Sequence, residues 1–230
     1  MRKPKSFLFV FFAVLCLAMS CFAAGSTQGS RGTVIIEDTM TAVEDDNKSA
    51  DEKDKPAVEK YVYEYLTGKG VTMIGDSIMN GNRGVILEQL PDAHIDAKGS
   101  RDVCGGFEAA QRLQQNGMLS DVVIVELGTN GPLLNHEPYA SGTQNLLELL
   151  GTERQIFWVT VYCSYSQWMA MNNDFIWELS KTRPNITVID WYSLSIEHPE
   201  WFPDGVHPNM EGARNFAKRL REALEEKCDK

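Results

Sequence analysis

The chain has 230 residues, 43% of them hydrophobic, and a formal net charge of −10. This length suits one domain with a single substantial core. The acidic balance, without any stripe of lysine or arginine, predicts no nucleic-acid partner because phosphate binding needs clustered cations.

Residues 1–24 predict a secretory signal peptide. Arg2, Lys3 and Lys5 precede an uninterrupted apolar stretch from Phe7 to Met19, and small residues follow it. The stretch is shorter than the roughly 20 residues that a spanning helix needs, which favours a cleaved signal over an uncleaved anchor. Cleavage would remove those three cations and no acid, taking the formal charge from −10 to −13.

The cysteines leave two questions open. Cys21 ends the sequence Ala-Met-Ser-Cys, which loosely resembles a bacterial lipobox. The chain is therefore predicted to be extracytoplasmic, either secreted with Cys21 lost in the signal, which we favour, or tethered through a lipid on Cys21. Cys104, Cys163 and Cys228 allow at most one internal disulfide, and their spacing does not suit zinc. We predict no metal and no cofactor.

Residues 25–57 predict a flexible, acidic and polar spacer because they hold too little apolar surface to offset the entropy of ordering. Residues 58–230 form the predicted domain, in which apolar runs predict five strands, at 71–74, 93–97, 121–127, 156–162 and 186–191. Helices are predicted at 78–90, 107–115, 144–150, 167–181 and 210–227. This alternation predicts an α/β fold, a three-layer α/β/α sandwich around a five-stranded parallel sheet.

Three short segments lie where such a fold gathers its ligands, at the carboxyl ends of strands or in nearby loops. Ser77 follows the first strand in Gly-Asp-Ser and begins a helix, where the helix dipole and free N–H groups stabilise a developing oxyanion. The alternative for Ser77 alone is a helix cap without chemistry.

Asp204 and His207 are three residues apart, just before the last helix, for which Asn209 is the predicted N-cap. This spacing lets the carboxylate orient one imidazole nitrogen while the other accepts a proton from a serine. The alternative is a capping aspartate beside a surface histidine. The other three histidines lack such a neighbouring carboxylate in a turn, and His198 is expected to pack under Trp201.

Asn130 follows the strongest predicted strand in a Gly-Thr-Asn-Gly turn. Its amide could point to the same rim of the sheet as Ser77 and donate to an oxyanion. The alternative is an asparagine that simply tolerates a left-handed turn.

Taken together, Gly-Asp-Ser77, Gly-Thr-Asn130 and Asp204-x-x-His207 resemble the SGNH (GDSL-like) hydrolase superfamily, which has a flavodoxin-like fold. The stretches 73–79, 95–98, 126–131, 190–192 and 198–200 are more narrowly similar to the extracytoplasmic domain of peptidoglycan O-acetyltransferases. The resemblance implies Ser77 as nucleophile, His207 as base and Asp204 as the partner of that base. It also implies an oxyanion hole formed by the Ser77 N–H and the Asn130 side chain.

Two departures from this resemblance bear on the site. The oxyanion glycine of the second block aligns with Ser100, and Gly99 is the alternative donor. A Ser-Tyr-Ser-Gln-Trp stretch replaces the proline-rich segment after the fourth strand, and only Trp168 matches. We predict Trp168 and Arg101 as substrate contacts, and Trp158 and Trp191 as core residues because both lie in strands.

The expected function is a serine acyl-enzyme catalyst that transfers O-acetyl or other short acyl groups of cell-wall glycan, or hydrolyses them. The alternatives are a plain carbohydrate or lipid esterase and a catalytically idle glycan-binding module, with a metal-dependent phosphoesterase as a remote option. True transfer from inside the cell would require a separate membrane acyl-donor protein, because this chain has no multi-span domain. The protein is expected to be a monomer.

Overall fold

The computed structural model describes residues 66–228, and of Cys228 only the backbone. The predicted signal peptide, Cys21 and the predicted spacer lie outside the described residues. Among residues 66–228, no helix combines the length and the hydropathy that a membrane-spanning segment requires.

Five parallel strands form one sheet: β1 (Val71–Gly75), β2 (His94–Ala97), β3 (Val122–Glu126), β4 (Gln155–Val159) and β5 (Ile186–Ile189). Their spatial order is β2-β1-β3-β4-β5. The predicted α/β fold with a five-stranded parallel sheet is confirmed. In this order the chain changes direction across the sheet between β1 and β3, so ligands are expected beyond the carboxyl ends of those two strands.

Side chains alternate from one face of the sheet to the other along each strand, and both faces carry apolar residues. Helices therefore cover both faces. On one face, Met73, Ile124 and Phe157 pack against α1 (Ser77–Gly81), α2 (Arg83–Gln89) and α7 (Met210–Cys228). A short helix α6 (Tyr192–Ile196) and a 3₁₀ turn (Pro199–Trp201) complete this layer.

On the opposite face, Ile74, Val125 and Trp158 pack against α3 (Val103–Gln115), α4 (Tyr139–Leu150) and α5 (Met169–Thr182). Trp158 and Trp191 are 0% and 3% exposed, so the prediction that both are core residues is confirmed. The predicted strand position is wrong for Trp191, which lies after β5 and precedes α6.

The predicted helix over 78–90 is wrong in one respect, because it is two helices, α1 and α2, which meet at Asn82. The Asn82 backbone lies outside the helical region, and its side-chain amide donates to the Ile78 carbonyl at 2.8 Å. Asparagine competes for backbone groups in this way, which explains the break. The helix predicted at 107–115 begins earlier, at Val103, because the Asp102 carboxylate caps it by accepting the Gly105 N–H.

Candidate active site

The loop before α7 holds Asp204 and His207 in a fixed geometry. Asp204 Oδ1 accepts the backbone N–H groups of Val206 at 3.0 Å and of His207 at 2.7 Å. Gly205 has a φ of +85°, a left-handed conformation that glycine adopts without a Cβ penalty. The turn thus leaves Asp204 Oδ2 2.7 Å from His207 Nδ1.

The same histidine reaches across the sheet edge to the turn after β1. His207 Nε2 lies 3.0 Å from Ser77 Oγ, although 130 residues separate the two in sequence. The structure therefore brings Ser77, His207 and Asp204 into one hydrogen-bonded chain. A hydroxyl, an imidazole and a carboxylate in this order are the groups of a nucleophile, its base and the residue that orients the base.

The three groups are arranged to keep Asp204 ionised. Hydrogen bonds from the His207 side chain and from the N–H groups of His207 and Val206 lower the pKa of Asp204 to about 2. The side chains of His207 and Asp204 are 49% and 53% exposed, so the dyad is open to water.

Behind Ser77 lie two carboxyl groups that share one buried site. Asp76 is 0% exposed and Glu126, at the end of β3, is 6% exposed. Burial raises the pKa of Asp76, and burial together with the neighbouring Asp76 raises the pKa of Glu126 well above its ordinary range. No role for Glu126 is predicted from the sequence. The one signal that could have indicated such a role is an acidic residue at the end of the most apolar strand.

Asn130 follows β3, and its amide nitrogen already has two acceptors. It donates to Asp76 Oδ2 at 3.0 Å and to the Arg101 carbonyl at 3.2 Å. The amide thus lies beside the residue that precedes Ser77, as expected from the order of β1 and β3. Its role as an oxyanion donor stays a prediction.

A second asparagine, Asn172 of α5, holds the loop that carries Asn130. Asn172 is 0% exposed, donates to the Gly128 and Gly131 carbonyls at 2.8 and 2.9 Å, and accepts the Leu133 N–H at 2.8 Å. The sequence did not reveal this role, because an asparagine inside a helix does not indicate which loop it contacts.

We expect Asn172→Ala to destabilise the protein by about 2–4 kcal/mol, because three buried backbone groups lose their partner. Urea unfolding measures this change. Ser180→Ala is the control, because the Ser180 hydroxyl donates to the Trp177 carbonyl of the same helix in an exposed hydrogen bond. We expect this control to lie within about 0.5 kcal/mol of the parent. Equal stability of the two variants would contradict the clamp.

Arg101 lies in the loop after β2 and is only 8% exposed. Its guanidinium donates to the carbonyls of Gly75 and Asp96 and pairs with the Asp96 carboxylate at 2.7 Å. These contacts fasten the loop to the ends of β1 and β2. The predicted contact of Arg101 with substrate stays a prediction.

The predicted donors Gly99 and Ser100 are both exposed on this loop. Ser100 has a φ of +57°, an uncommon conformation for a residue with a side chain. This conformation turns the backbone at the place where the resemblance expects an oxyanion donor, and the choice between Gly99 and Ser100 stays open.

Two aromatic side chains follow β4. Trp168 is half-buried and meets His136 edge to face, with ring centroids 5.6 Å apart. Tyr165, which the sequence analysis did not single out, is 70% exposed. Its ring lies against Gly205, 3.4 Å from where a Cβ would stand, and the neighbouring Ser164 N–H donates to the Gly205 carbonyl at 2.9 Å. Tyr165 is thus an aromatic surface beside the loop of Asp204 and His207.

His198 stacks on Trp201 with ring centroids 4.0 Å apart, which confirms the expected packing. The expectation that His198 lacks a carboxylate neighbour is wrong, since His198 Nδ1 lies 2.9 Å from Glu200 Oε1. The residue two positions on, rather than the adjacent Glu197, supplies the carboxylate.

The chain is similar in sequence and in fold to peptidoglycan O-acetyltransferases. No protein-family model matches the chain. The peptidoglycan O-acetyltransferase OatA of Listeria monocytogenes is 31% identical over 156 residues, which cover 66% of this chain and 23% of that protein. The C-terminal catalytic domain of Streptococcus pneumoniae peptidoglycan O-acetyltransferase A, solved with a methylsulfonyl adduct, has a TM-score of 0.61 at 26% identity. The match covers 70% of this chain and 94% of that domain.

A GDSL-like lipase of Bacteroides thetaiotaomicron has a TM-score of 0.52 at 15% identity, over 74% of this chain and 98% of the lipase. The putative peptidoglycan O-acetyltransferase YrhL of Bacillus subtilis is 30% identical over 159 residues, which cover 69% of this chain and 24% of that protein. With this relative and the pneumococcal catalytic domain, the chain belongs to the SGNH (GDSL-like) hydrolase superfamily. At 15% identity, the similarity to the lipase shows only that the two proteins share the SGNH fold. The chain spans about a quarter of the length of the curated relatives it matches. Similarity over that part alone does not show the activity of the whole relatives for this chain.

Proposed function

We propose that this SGNH chain is a serine acyl-enzyme catalyst that transfers or hydrolyses O-acetyl groups on cell-wall glycan. The observation that carries the proposal is the hydrogen-bonded chain from Ser77 Oγ to His207 Nε2, 3.0 Å, and from His207 Nδ1 to Asp204 Oδ2, 2.7 Å. The first distance lies within the range for proton transfer from a nucleophile to its base, and the second is that of a hydrogen bond that orients the base.

The reaction has two halves. Ser77 Oγ attacks the acyl carbon as His207 Nε2 takes the hydroxyl proton. Collapse of the tetrahedral intermediate then breaks the bond to the donor oxygen, which leaves with the proton that the imidazolium donates to it. An acceptor hydroxyl, from a sugar or from water, then attacks the acyl-serine through the same base. The acyl group leaves on the acceptor, and Ser77 regains its proton. Asp204 stabilises the imidazolium in both halves.

Charge on the tetrahedral oxygen needs donors at the same rim. Ser77 begins α1, and its N–H lies at the positive end of that helix. Asn130 would supply a second donor if its side chain rotates so that the N–H now 3.2 Å from the Arg101 carbonyl is directed to the oxyanion instead. Ser100, or Gly99, completes the proposed hole.

The glycan substrate is proposed from the relatives, which are peptidoglycan O-acetyltransferases, and from aromatic surface beside the site. Aromatic faces stack on sugar rings, and Tyr165 is more exposed than the predicted contact Trp168. We include both as proposed glycan contacts. An extracytoplasmic location belongs to the same proposal and is supported by the signal-like first 24 residues. A separate membrane acyl donor and a monomeric state are further parts of the proposal.

A plain esterase is the second candidate, and one observation favours it. With His207 and Asp204 about half exposed, water has open access to an acyl group on Ser77. The two candidates share the intermediate and differ only in which hydroxyl attacks it.

The test is intact-mass analysis of the purified protein mixed with an activated acetyl ester. We expect the gain of a single acetyl group, mapped to the peptide of Ser77, followed by its loss. Addition of a chitooligosaccharide should then speed the loss and yield an acetylated sugar if transfer operates. Release of free acetate at an unchanged rate would favour the esterase. Ester turnover in which no adduct on Ser77 can be trapped, even with a fluorophosphonate probe, would contradict both.

A further inference from the structure

Glu126 lies directly behind the nucleophile turn because of the strand register. It ends β3 opposite Gly75, the last residue of β1, and Asp76 and Ser77 follow Gly75 at once. Gly75 leaves the space that the carboxyl fills, since a Cβ placed there would stand 3.0 Å from Glu126 Oε2 and 2.6 Å from the Met79 side chain. A larger residue at Gly75 would therefore displace Glu126.

The two buried carboxyl groups bind the backbone on both sides of Ser77. Glu126 Oε2 accepts the N–H groups of Asp76 at 3.1 Å and of Met79 at 3.3 Å, and Asp76 Oδ1 accepts the N–H of Ile78 at 2.9 Å. Of the four N–H groups from residue 76 to residue 79, these contacts use three. The fourth belongs to Ser77 and is the one that the proposed oxyanion hole requires.

The same pair also reaches the second proposed oxyanion donor. Asp76 Oδ2 accepts from the Asn130 amide at 3.0 Å, and the Thr129 hydroxyl also donates to the Asp76 carboxylate. Glu126 is hydrogen-bonded to Asp76 side chain to side chain. One buried cluster thus links β1, β3 and the loop that carries Asn130.

Two carboxylates in contact and shielded from water repel each other, so one of them retains a proton. The donors to this pair among residues 66–228 are backbone N–H groups, the Asn130 amide and the Thr129 hydroxyl, and none is a cation. Arg101, the charged group on the facing loop, is engaged with the Gly75 carbonyl and Asp96. The proton is placed on Glu126, whose pKa is raised further than that of Asp76 and whose protonated carboxyl can donate to the Asp76 carboxylate.

We propose that Glu126 is a positioning residue that acts as a neutral carboxylic acid, bracing the Ser77 turn from behind and fixing Asn130 through Asp76. This role rests on the proposed function of Ser77 and goes beyond it, because Glu126 itself touches no reacting atom. A neutral acid has the hydrogen-bonding pattern of a primary amide, with one acceptor oxygen and a donor. Glutamine should therefore replace Glu126, whereas leucine should not.

The experiment compares Glu126→Gln, Glu126→Leu and the parent by kcat and KM for an activated acetyl ester and by the rate of fluorophosphonate labelling of Ser77. We expect Glu126→Gln to keep kcat and labelling within about threefold, and Glu126→Leu to lower both by at least about 10-fold at unchanged KM, since small misplacements of reacting groups are costly. Glu126→Gln should also unfold at the same or a higher temperature at neutral pH. In the parent, folding at neutral pH has to protonate a glutamate that is ionised in the unfolded chain, which costs stability. Glutamine carries no such cost.

Thr72→Val is the matched control for a buried polar group lost from the sheet. Thr72 is 0% exposed, lies near the opposite end of β1, and bonds to Ser120 and the Met118 carbonyl. We expect this variant to lose stability and keep kcat. A Glu126→Leu variant that loses only stability, as the control does, would overturn the positioning role, and so would a Glu126→Gln variant as slow as Glu126→Leu. If the parent itself is not labelled, it is the nucleophile assignment that fails.

Discussion

Replacing Ser77 with alanine is expected to lower kcat for an activated acetyl ester by about 10⁴- to 10⁶-fold. The reason is geometric, because the Ser77 hydroxyl lies 3.0 Å from His207 Nε2 and no covalent intermediate can form without it. His207→Ala should cost nearly as much. The double variant should be scarcely slower than either single one, since a nucleophile and its base act as a unit.

The measurement is steady-state hydrolysis with the unfolding midpoint recorded for each variant. Ser193→Ala, an exposed serine of α6, is the control and should retain the parental rate. A Ser77→Ala protein that is folded and retains a tenth of the activity would show that another group attacks the ester. Additive losses in the double variant would show that His207 does not serve Ser77.

Asp204→Asn is expected to reduce kcat by about 10³- to 10⁴-fold with little change in KM. The Asp204 carboxylate accepts from His207 Nδ1 at 2.7 Å and so leaves Nε2 free to take the serine proton. An asparagine amide that faces Nδ1 as a donor would favour the opposite tautomer, in which Nε2 carries a proton and cannot act as a base.

The pH dependence follows from the same contacts. The hydrogen bonds at Asp204 lower its pKa to about 2, so its carboxylate is ionised throughout any assay above pH 4. A lowered pKa favours the folded state above the ordinary value of an aspartate, and this contribution is lost as the pH falls toward 2. Because Asp204 is half exposed, the contribution is small. Protonation of Asp204 should therefore contribute nothing to any loss of activity in mild acid.

Glu200→Gln is the matched control for Asp204→Asn. Glu200 forms a similar contact with His198 Nδ1, at 2.9 Å, outside the proposed triad. Its loss should leave kcat within about twofold of the parent, as most exposed substitutions away from a site do. Equal losses in both variants would contradict a specific role for Asp204.

The sequence predicted most of the fold because the strands are short apolar runs with glycine or polar residues at their ends. Val122–Glu126 illustrates this, since all five residues are buried and the predicted bounds differ by one residue at each end. The helix break at Asn82 was missed because it depends on one side chain that competes for the Ile78 carbonyl. The early start of α3 was missed because Asp102 acts as a cap only in the folded loop.

The site could be predicted only in part. Spacing alone relates Asp204 to His207, and the carboxyl-end rule places Ser77 and Asn130 at one rim of the sheet. Their catalytic roles stay predictions. Glu126 and Asn172 could not be assigned from the sequence, because their partners are backbone groups of β1 and of the loop after β3, which only the folded chain brings near. The contacts of Arg101 with Gly75 and Asp96 could not be predicted either, because tertiary structure brings those acceptors near.

The half-exposed imidazole and carboxylate have a consequence for how the outcome of the reaction is chosen. A closed cleft would select a sugar acceptor by excluding water. At an open site, the local concentrations of water and of sugar hydroxyls decide which one attacks the acyl group. In dilute solution, where water vastly outnumbers saccharides, hydrolysis would win. Inside a dense polysaccharide network, where sugar hydroxyls are held at high effective concentration, the same protein would increasingly transfer the acyl group from one sugar to another.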